Sequence, residues 1–174
     1  MKGYVHIYEG DGKGKTTAAV GLAVRCAGSG QKVLFSQFLK GNTSSELQVL
    51  RNIPEVTVFE NSNHYGFTFQ MTDKEKGQAR QHYKDHFRNV TEEAGKQQAR
   101  LLVLDEIIDA CNLGMVEEEE VCRFLRSRPQ DMEVVMTGRN PSDQLLALAD
   151  YVTHFAKIRH PYDQGVAARK GIEM

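Results

Sequence analysis

The stretch Tyr4-Val5-His6-Ile7-Tyr8-Glu9-Gly10-Asp11-Gly12-Lys13-Gly14-Lys15-Thr16-Thr17 decides the fold. Tyr4 to Tyr8 is aromatic and β-branched and predicts a strand. Gly10 to Gly14 predicts a tight loop. Thr16 to Ala27, rich in Ala, Val and Leu, predicts a helix that Gly28 and Gly30 terminate. Val33-Leu34-Phe35 begins a second strand, which completes a β–loop–α–β unit.

Further strands are expected at Val56 to Phe59, Leu101 to Leu104, Glu133 to Met136 and Tyr151 to Ile158. Helices are expected over Glu46 to Asn52, Glu117 to Ser127 and Ser142 to Ala149. A long polar helix should start near Thr72, with Asp73 and Glu75 in its first turn. Its apolar stripe is Ala79, Tyr83, Phe87, Val90 and Ala94. Leu101 to Leu104 is continuously apolar, as a strand buried on both faces of a parallel sheet would be. The alternation of strands and helices predicts a three-layer α/β domain over residues 1–174, with a mostly parallel central sheet.

The phosphate-binding loop pattern is G-x-x-x-x-G-K-[ST]. Lys15 and Thr16 fit its end, but Glu9 stands where the first glycine belongs, so the loop is one residue short. Its chemistry is intact. Glycines let backbone N–H groups of residues 10–17 converge on phosphate oxygens, and the helix aims its positive end at them. Lys15 adds a point charge, Lys13 a second cation, and the Thr16 hydroxyl can reach Mg²⁺. Asp105-Glu106 ends the buried run, at the carboxyl end of a central strand beside the loop. A metal-binding carboxylate belongs there, and one of the two should hold Mg²⁺ directly or through water. Taken alone, the pair also fits a helix N-terminal acid pair.

Other signals are weaker. Arg139, in Thr137-Gly138-Arg139, either contacts phosphate or closes a turn. His82 and His86 share a helix face, read as solvated. His64 to Phe69 sets aromatic residues around Gly66, to anchor a loop or to meet a large flat apolar ligand. Cys26, Cys111 and Cys122 have no metal spacing and read as reduced thiols. A net charge of -1 points to neither nucleic acid nor an anionic membrane. No apolar run approaches the roughly 20 residues of a membrane span. The expected location is the cytoplasm. No nucleophile elbow, zinc triad, kinase signature or evident catalytic base appears.

These motifs resemble the ATP:corrinoid adenosyltransferases of the CobA/BtuR type. The resemblance rests on Gly10 to Ala19, Gln37-Phe38-Leu39-Lys40-Gly41, Gly66 to Phe69, Leu101 to Glu106, Thr137 to Arg139 and Arg159 to Glu173, and it covers nearly the whole chain. The shortened loop is itself a family trait. The resemblance implies a RecA-like P-loop domain that moves the 5′-deoxyadenosyl group of ATP to cob(I)alamin and releases triphosphate. It implies ATP bound in a reversed sense, with C5′ facing a Co(I) nucleophile that needs no protein base. It implies that Phe67 and Phe69 sit under the corrin ring and displace the lower axial ligand. It implies a homodimer and a reductase that supplies electrons to Co(II). Phe69 stands where the family often has Trp, and Met174 where it commonly has Tyr. Two rivals are a small-molecule kinase or ATPase, which normally uses a full-length loop and a positioned base, and a nucleotide-binding regulatory module.

Overall fold

Short apolar runs become strands here because helices cover both of their faces. The computed structural model describes residues 2–41, 43–61 and 71–173. In order, the elements are β1 (Val5–Glu9), α1 (Lys15–Gly28), β2 (Val33–Gln37), α2 (Ser45–Leu50), β3 (Val56–Val58), α3 (Asp73–Lys96), β4 (Leu101–Asp105), α4 (Ile107–Asn112), α5 (Glu118–Ser127), β5 (Glu133–Gly138), α6 (Asp143–Leu148) and β6 (Tyr151–His154).

Among the described residues the strands form one sheet in the order β3-β2-β4-β5-β1-β6. Every neighbouring pair is parallel. The expected three-layer α/β domain is thus observed, with an entirely parallel sheet. Successive strand residues alternate between two cores. Val33, Phe35, Leu101 and Val103 pack with Ala19, Ala23 and Ala27 of α1. Leu34, Leu102, Leu104 and Met136 pack on the other face against α3, α4 and α5. Each such Leu, fully buried, contributes roughly 2 kcal/mol.

The long helix begins as expected. Thr72 caps α3 and forms a reciprocal capping box with Glu75, a device that contributes about 1 kcal/mol. The whole expected stripe is buried, and His86 joins it. His86 therefore departs from the solvated face expected of it. It lies between Tyr83 and Val90 at helical spacing, so the apolar face includes it. Ser36 Oγ donates to the Phe59 carbonyl at 3.1 Å, which leaves it to accept from His86 Nε2 at 2.8 Å. His82 Nε2 donates to Asn61 Oδ1 at 2.6 Å.

Two more elements differ from expectation. α4 follows β4 with no capping signal beyond the acid pair Asp105-Glu106, because its N-cap, Glu106, lies in the left-handed region at φ 63° with no side-chain cap. β6 ends at His154, short of Ile158. Phe155 N–H still bonds the Glu9 carbonyl, but the Phe155 carbonyl accepts Gly12 N–H at 2.7 Å. The chain thus leaves the sheet to cross the phosphate loop. Among the described residues no helix is long and apolar enough to cross a membrane.

Burial, with repulsion from His82 added, lowers the His86 pKa from the usual 6.5 to about 4. The folded chain keeps His86 neutral where the unfolded chain protonates it. Its contribution is full above pH 6.5 and is lost as pH falls toward about 4. His86→Phe is therefore expected to flatten the acid limb of melting temperature against pH in that window. An acid limb as steep as the wild type's would contradict this.

Candidate active site

The carboxyl ends of the parallel strands converge on one cavity of about 1030 Å³. The loop from Gly10 to Gly14 enters it from β1, and α1 starts directly behind at Lys15. Gly10 and Gly14 have φ of 116° and 119°, which an L side chain rarely adopts. A Cβ on Gly12 would lie 2.5 Å from the Phe155 carbonyl oxygen, so only glycine allows this crossing. Gly12 N–H is engaged with that carbonyl and ties the loop to the chain after β6.

Glu9, in place of the first glycine, is still part of β1 and pairs with Gly138 and His154. Its carboxylate contacts His154 Nδ1. The strand thus takes up a position that a full-length loop would use, which is the structural form of the shortened motif. Lys15 folds back over the loop. Its ammonium donates to the Gly10 carbonyl at 2.5 Å and to the Gly12 carbonyl at 2.9 Å. Burial and the nearby Arg139 charge lower its pKa, with Asp109, Asp11 and Glu106 opposing.

Asp105 is the node of the site and is fully buried. Its Oδ1 accepts from Thr16 Oγ1 at 2.9 Å and from Thr137 Oγ1 at 2.6 Å. Its Oδ2 accepts from Gln37 Nε2 at 3.1 Å and Lys40 Nζ at 3.3 Å. The sequence places this carboxylate on a strand beside the loop, whereas β5 lies between β4 and β1. The Asp105 side chain still reaches Thr16 of the loop, and Thr137 of β5 braces it, its hydroxyl also accepting Glu106 N–H at 2.8 Å. Gly138 is required next to it, because a Cβ there would lie 2.6 Å from Ile108 Cβ.

Glu106 reaches the same cavity beside Lys40, at 3.4 Å. Burial raises its pKa, and the Lys40 charge opposes that rise. Arg139 also lines the cavity and pairs with Asp11 at 3.4 Å and Asp109 at 3.8 Å. Lys13 and Thr17 are exposed at its rim. So Gly10 to Thr17, Asp105, Glu106 and Arg139 meet in one place. Phe67, Phe69 and Met174 lie outside the described residues.

Gln37, Lys40 and Thr137 lie in motifs that carry the resemblance, but the sequence alone gives them no role at the site. The signal was position: Gln37 and Thr137 sit at the carboxyl ends of β2 and β5, and Lys40 follows closely. The segment after β6 holds the motif Arg159 to Glu173, but its sequence alone does not place it at the loop. Its Arg159 and Arg169 line the cavity with Lys13, Lys15, Lys40 and Arg139. Lysines and arginines outnumber carboxylates around it, as an anionic ligand requires.

A family model described as "ATP:corrinoid adenosyltransferase BtuR/CobO/CobP" matches residues 1–174. The chain belongs to this family. It is 32% identical to the corrinoid adenosyltransferase of Pseudomonas aeruginosa over 99% of this chain and 84% of that protein. It is 33% identical to the corrinoid adenosyltransferase CobA of Salmonella typhimurium over 99% of this chain and 86% of that protein. The cytoplasmic domain of EssC shares the fold, with a TM-score of 0.53 and 16% identity over 99% of this chain and 38% of that one.

The phosphate loop is joined to the carboxylate strand directly by Thr16, and Thr137 braces that carboxylate from β5. Thr137→Val keeps the shape and deletes the hydroxyl that serves both Asp105 and the Glu106 amide. It should lower unfolding free energy by about 1–3 kcal/mol in urea titration. A loss indistinguishable from zero would contradict the bracing role.

Proposed function

We propose that this chain transfers the 5′-deoxyadenosyl group of ATP to cob(I)alamin or a related corrinoid and releases triphosphate. The observation that carries the proposal is the meeting of Lys15, Thr16 and Asp105 at a cationic cavity, in a chain of the adenosyltransferase family.

The residues present fit Mg²⁺. Among the described residues no three His, Cys, Asp or Glu side chains form a metal cluster. A hydroxyl and two carboxylates, Thr16, Asp105 and Glu106, suit a hard cation that takes its remaining ligands from phosphates and water. Gln37 Oε1 is buried beside Asp105 without a hydrogen-bond partner, an acceptor suited to a water on a hydrated ion. When bound, Mg²⁺ offsets negative charge on the departing triphosphate.

Lys15 spends two of its three donors on loop carbonyls, which leaves one for a phosphate oxygen. Amides in the first turn of α1 have no partner within the helix and can take other phosphate oxygens. Lys13 and Arg139 add charge at the rim. The electron pair of Co(I) forms the bond to C5′ as the C5′–O bond breaks, and that oxygen leaves with the triphosphate. No proton moves in this step, so no protein base is needed. The protein's contribution is to stabilise the leaving group. Phe67 and Phe69 would face the corrin ring and keep a lower ligand off the cobalt, easing reduction from Co(II). Family membership supports a homodimer in the cytoplasm, with a reductase as the electron source.

Incubation with Mg-ATP and chemically reduced cobalamin is expected to yield triphosphate and a light-sensitive corrinoid, read by phosphorus NMR and absorbance. ADP as the sole phosphorus product would contradict the proposal. Lys15→Ala should abolish turnover and leave the circular dichroism spectrum intact. Turnover at the wild-type rate would remove Lys15 from the mechanism.

A further inference from the structure

The three groups assigned to the metal surround a cation that the protein itself supplies. Lys40 Nζ lies 3.2 Å from Thr16 Oγ1, 3.3 Å from Asp105 Oδ2 and 3.4 Å from Glu106 Oε1. An ammonium has three donors, and this one aims them at the three atoms that would ligate a metal. The reason is electrostatic. Asp105 is fully buried and Glu106 is adjacent, and two such carboxylates without a positive charge are strongly destabilising. Burial opposes the Lys40 charge, yet Asp105, Glu106 and Glu46 together hold its pKa above the usual lysine value.

A divalent ion and this ammonium cannot share the same three oxygens, because like charges at such distances repel strongly. Lys40 extends from the segment after β2 on a flexible four-carbon stem, its side chain 35% exposed, and it lines the same cavity as Lys15 and Arg139. The displaced ammonium therefore remains inside the nucleotide cavity.

We propose that Lys40 is a tethered counter-cation with two stations. Without metal it neutralises Asp105 and Glu106. With Mg-ATP bound it moves to the triphosphate oxygens and becomes a further positioning residue for the leaving group. The consequence is coupling. Metal arriving alone must move the ammonium off two carboxylates and leave it the weaker attraction of Glu46, whereas metal arriving with nucleotide brings a triphosphate for it to meet. Metal and nucleotide then favour each other's binding by a common factor. This rests on the assignment of Thr16, Asp105 and Glu106 to the metal.

The test uses Mn²⁺ alone, counted by electron paramagnetic resonance on nucleotide-free protein, and Mg-ATP binding by calorimetry. Lys40→Met and Lys40→Gln are compared with wild type, their folding checked by circular dichroism. Mn²⁺ alone should bind about tenfold more tightly in both variants, and Mg-ATP about tenfold more weakly. A lysine that served only as a structural ion pair would weaken both on removal. Any pattern other than tighter metal with weaker nucleotide overturns the proposal. Asp105→Asn separates it from the metal assignment. If Asp105→Asn weakens Mn²⁺ binding in the presence of ATP while the Lys40 variants gain no metal affinity, the Lys40 proposal alone falls. If the gained Mn²⁺ survives in Lys40→Met/Asp105→Asn, both fall.

Discussion

The Asp105 carboxylate is the constraint on which the rest of the site depends. It is fully buried at the end of a central strand, where an unpaired charge would cost several kcal/mol. It is held by four side chains from three directions: Thr16 from the phosphate loop and α1, Gln37 and Lys40 from β2 and the segment after it, and Thr137 from β5. Each of those residues follows or ends a parallel strand. The requirement to satisfy one buried anion therefore sets the relative positions of the loop, the carboxylates and the cationic wall. The same requirement explains why a lysine and two threonines stand where purely apolar packing would be more stable.

The one-residue shortening of the loop has a comparable structural cause. Glu9 remains in the β1 ladder, paired on both sides, and the loop is then stitched through Gly12 to the Phe155 carbonyl. The segment after β6 is drawn across the loop and brings Arg159 and Arg169 to the cavity. A generic phosphate cradle is thereby enclosed by its own chain, which fits a site that must grip a whole triphosphate as a leaving group.

Much of this was legible in the sequence because the deciding signals are local. Continuous apolar runs marked the buried strands, and the Thr72–Glu75 pair and its stripe marked α3. The loop motif and Asp105-Glu106 marked the site. What was not legible depends on tertiary placement. Tyr151 to Ile158 alternates throughout, but only the crossing at Phe155 ends the strand at His154. His86 was assigned to solvent although its spacing from Tyr83 and Val90 puts it on the buried face. Sequence spacing alone does not reveal that a histidine will find Ser36 there. Lys40 belongs to a motif, but its chemical role is not visible until Thr16, Asp105 and Glu106 are brought around it.

The central claim is that this loop holds a leaving triphosphate and presents a carbon, not a phosphorus, to the nucleophile. It is tested most directly with ATP carrying ¹⁸O at the oxygen that joins C5′ to the α-phosphorus, reacted with reduced corrinoid and resolved by mass spectrometry. Cleavage of the C5′–O bond predicts that all of the label appears in triphosphate and none in the adenosyl product. Label retained on the nucleoside would mean that a phosphorus–oxygen bond breaks instead, and would contradict the claim.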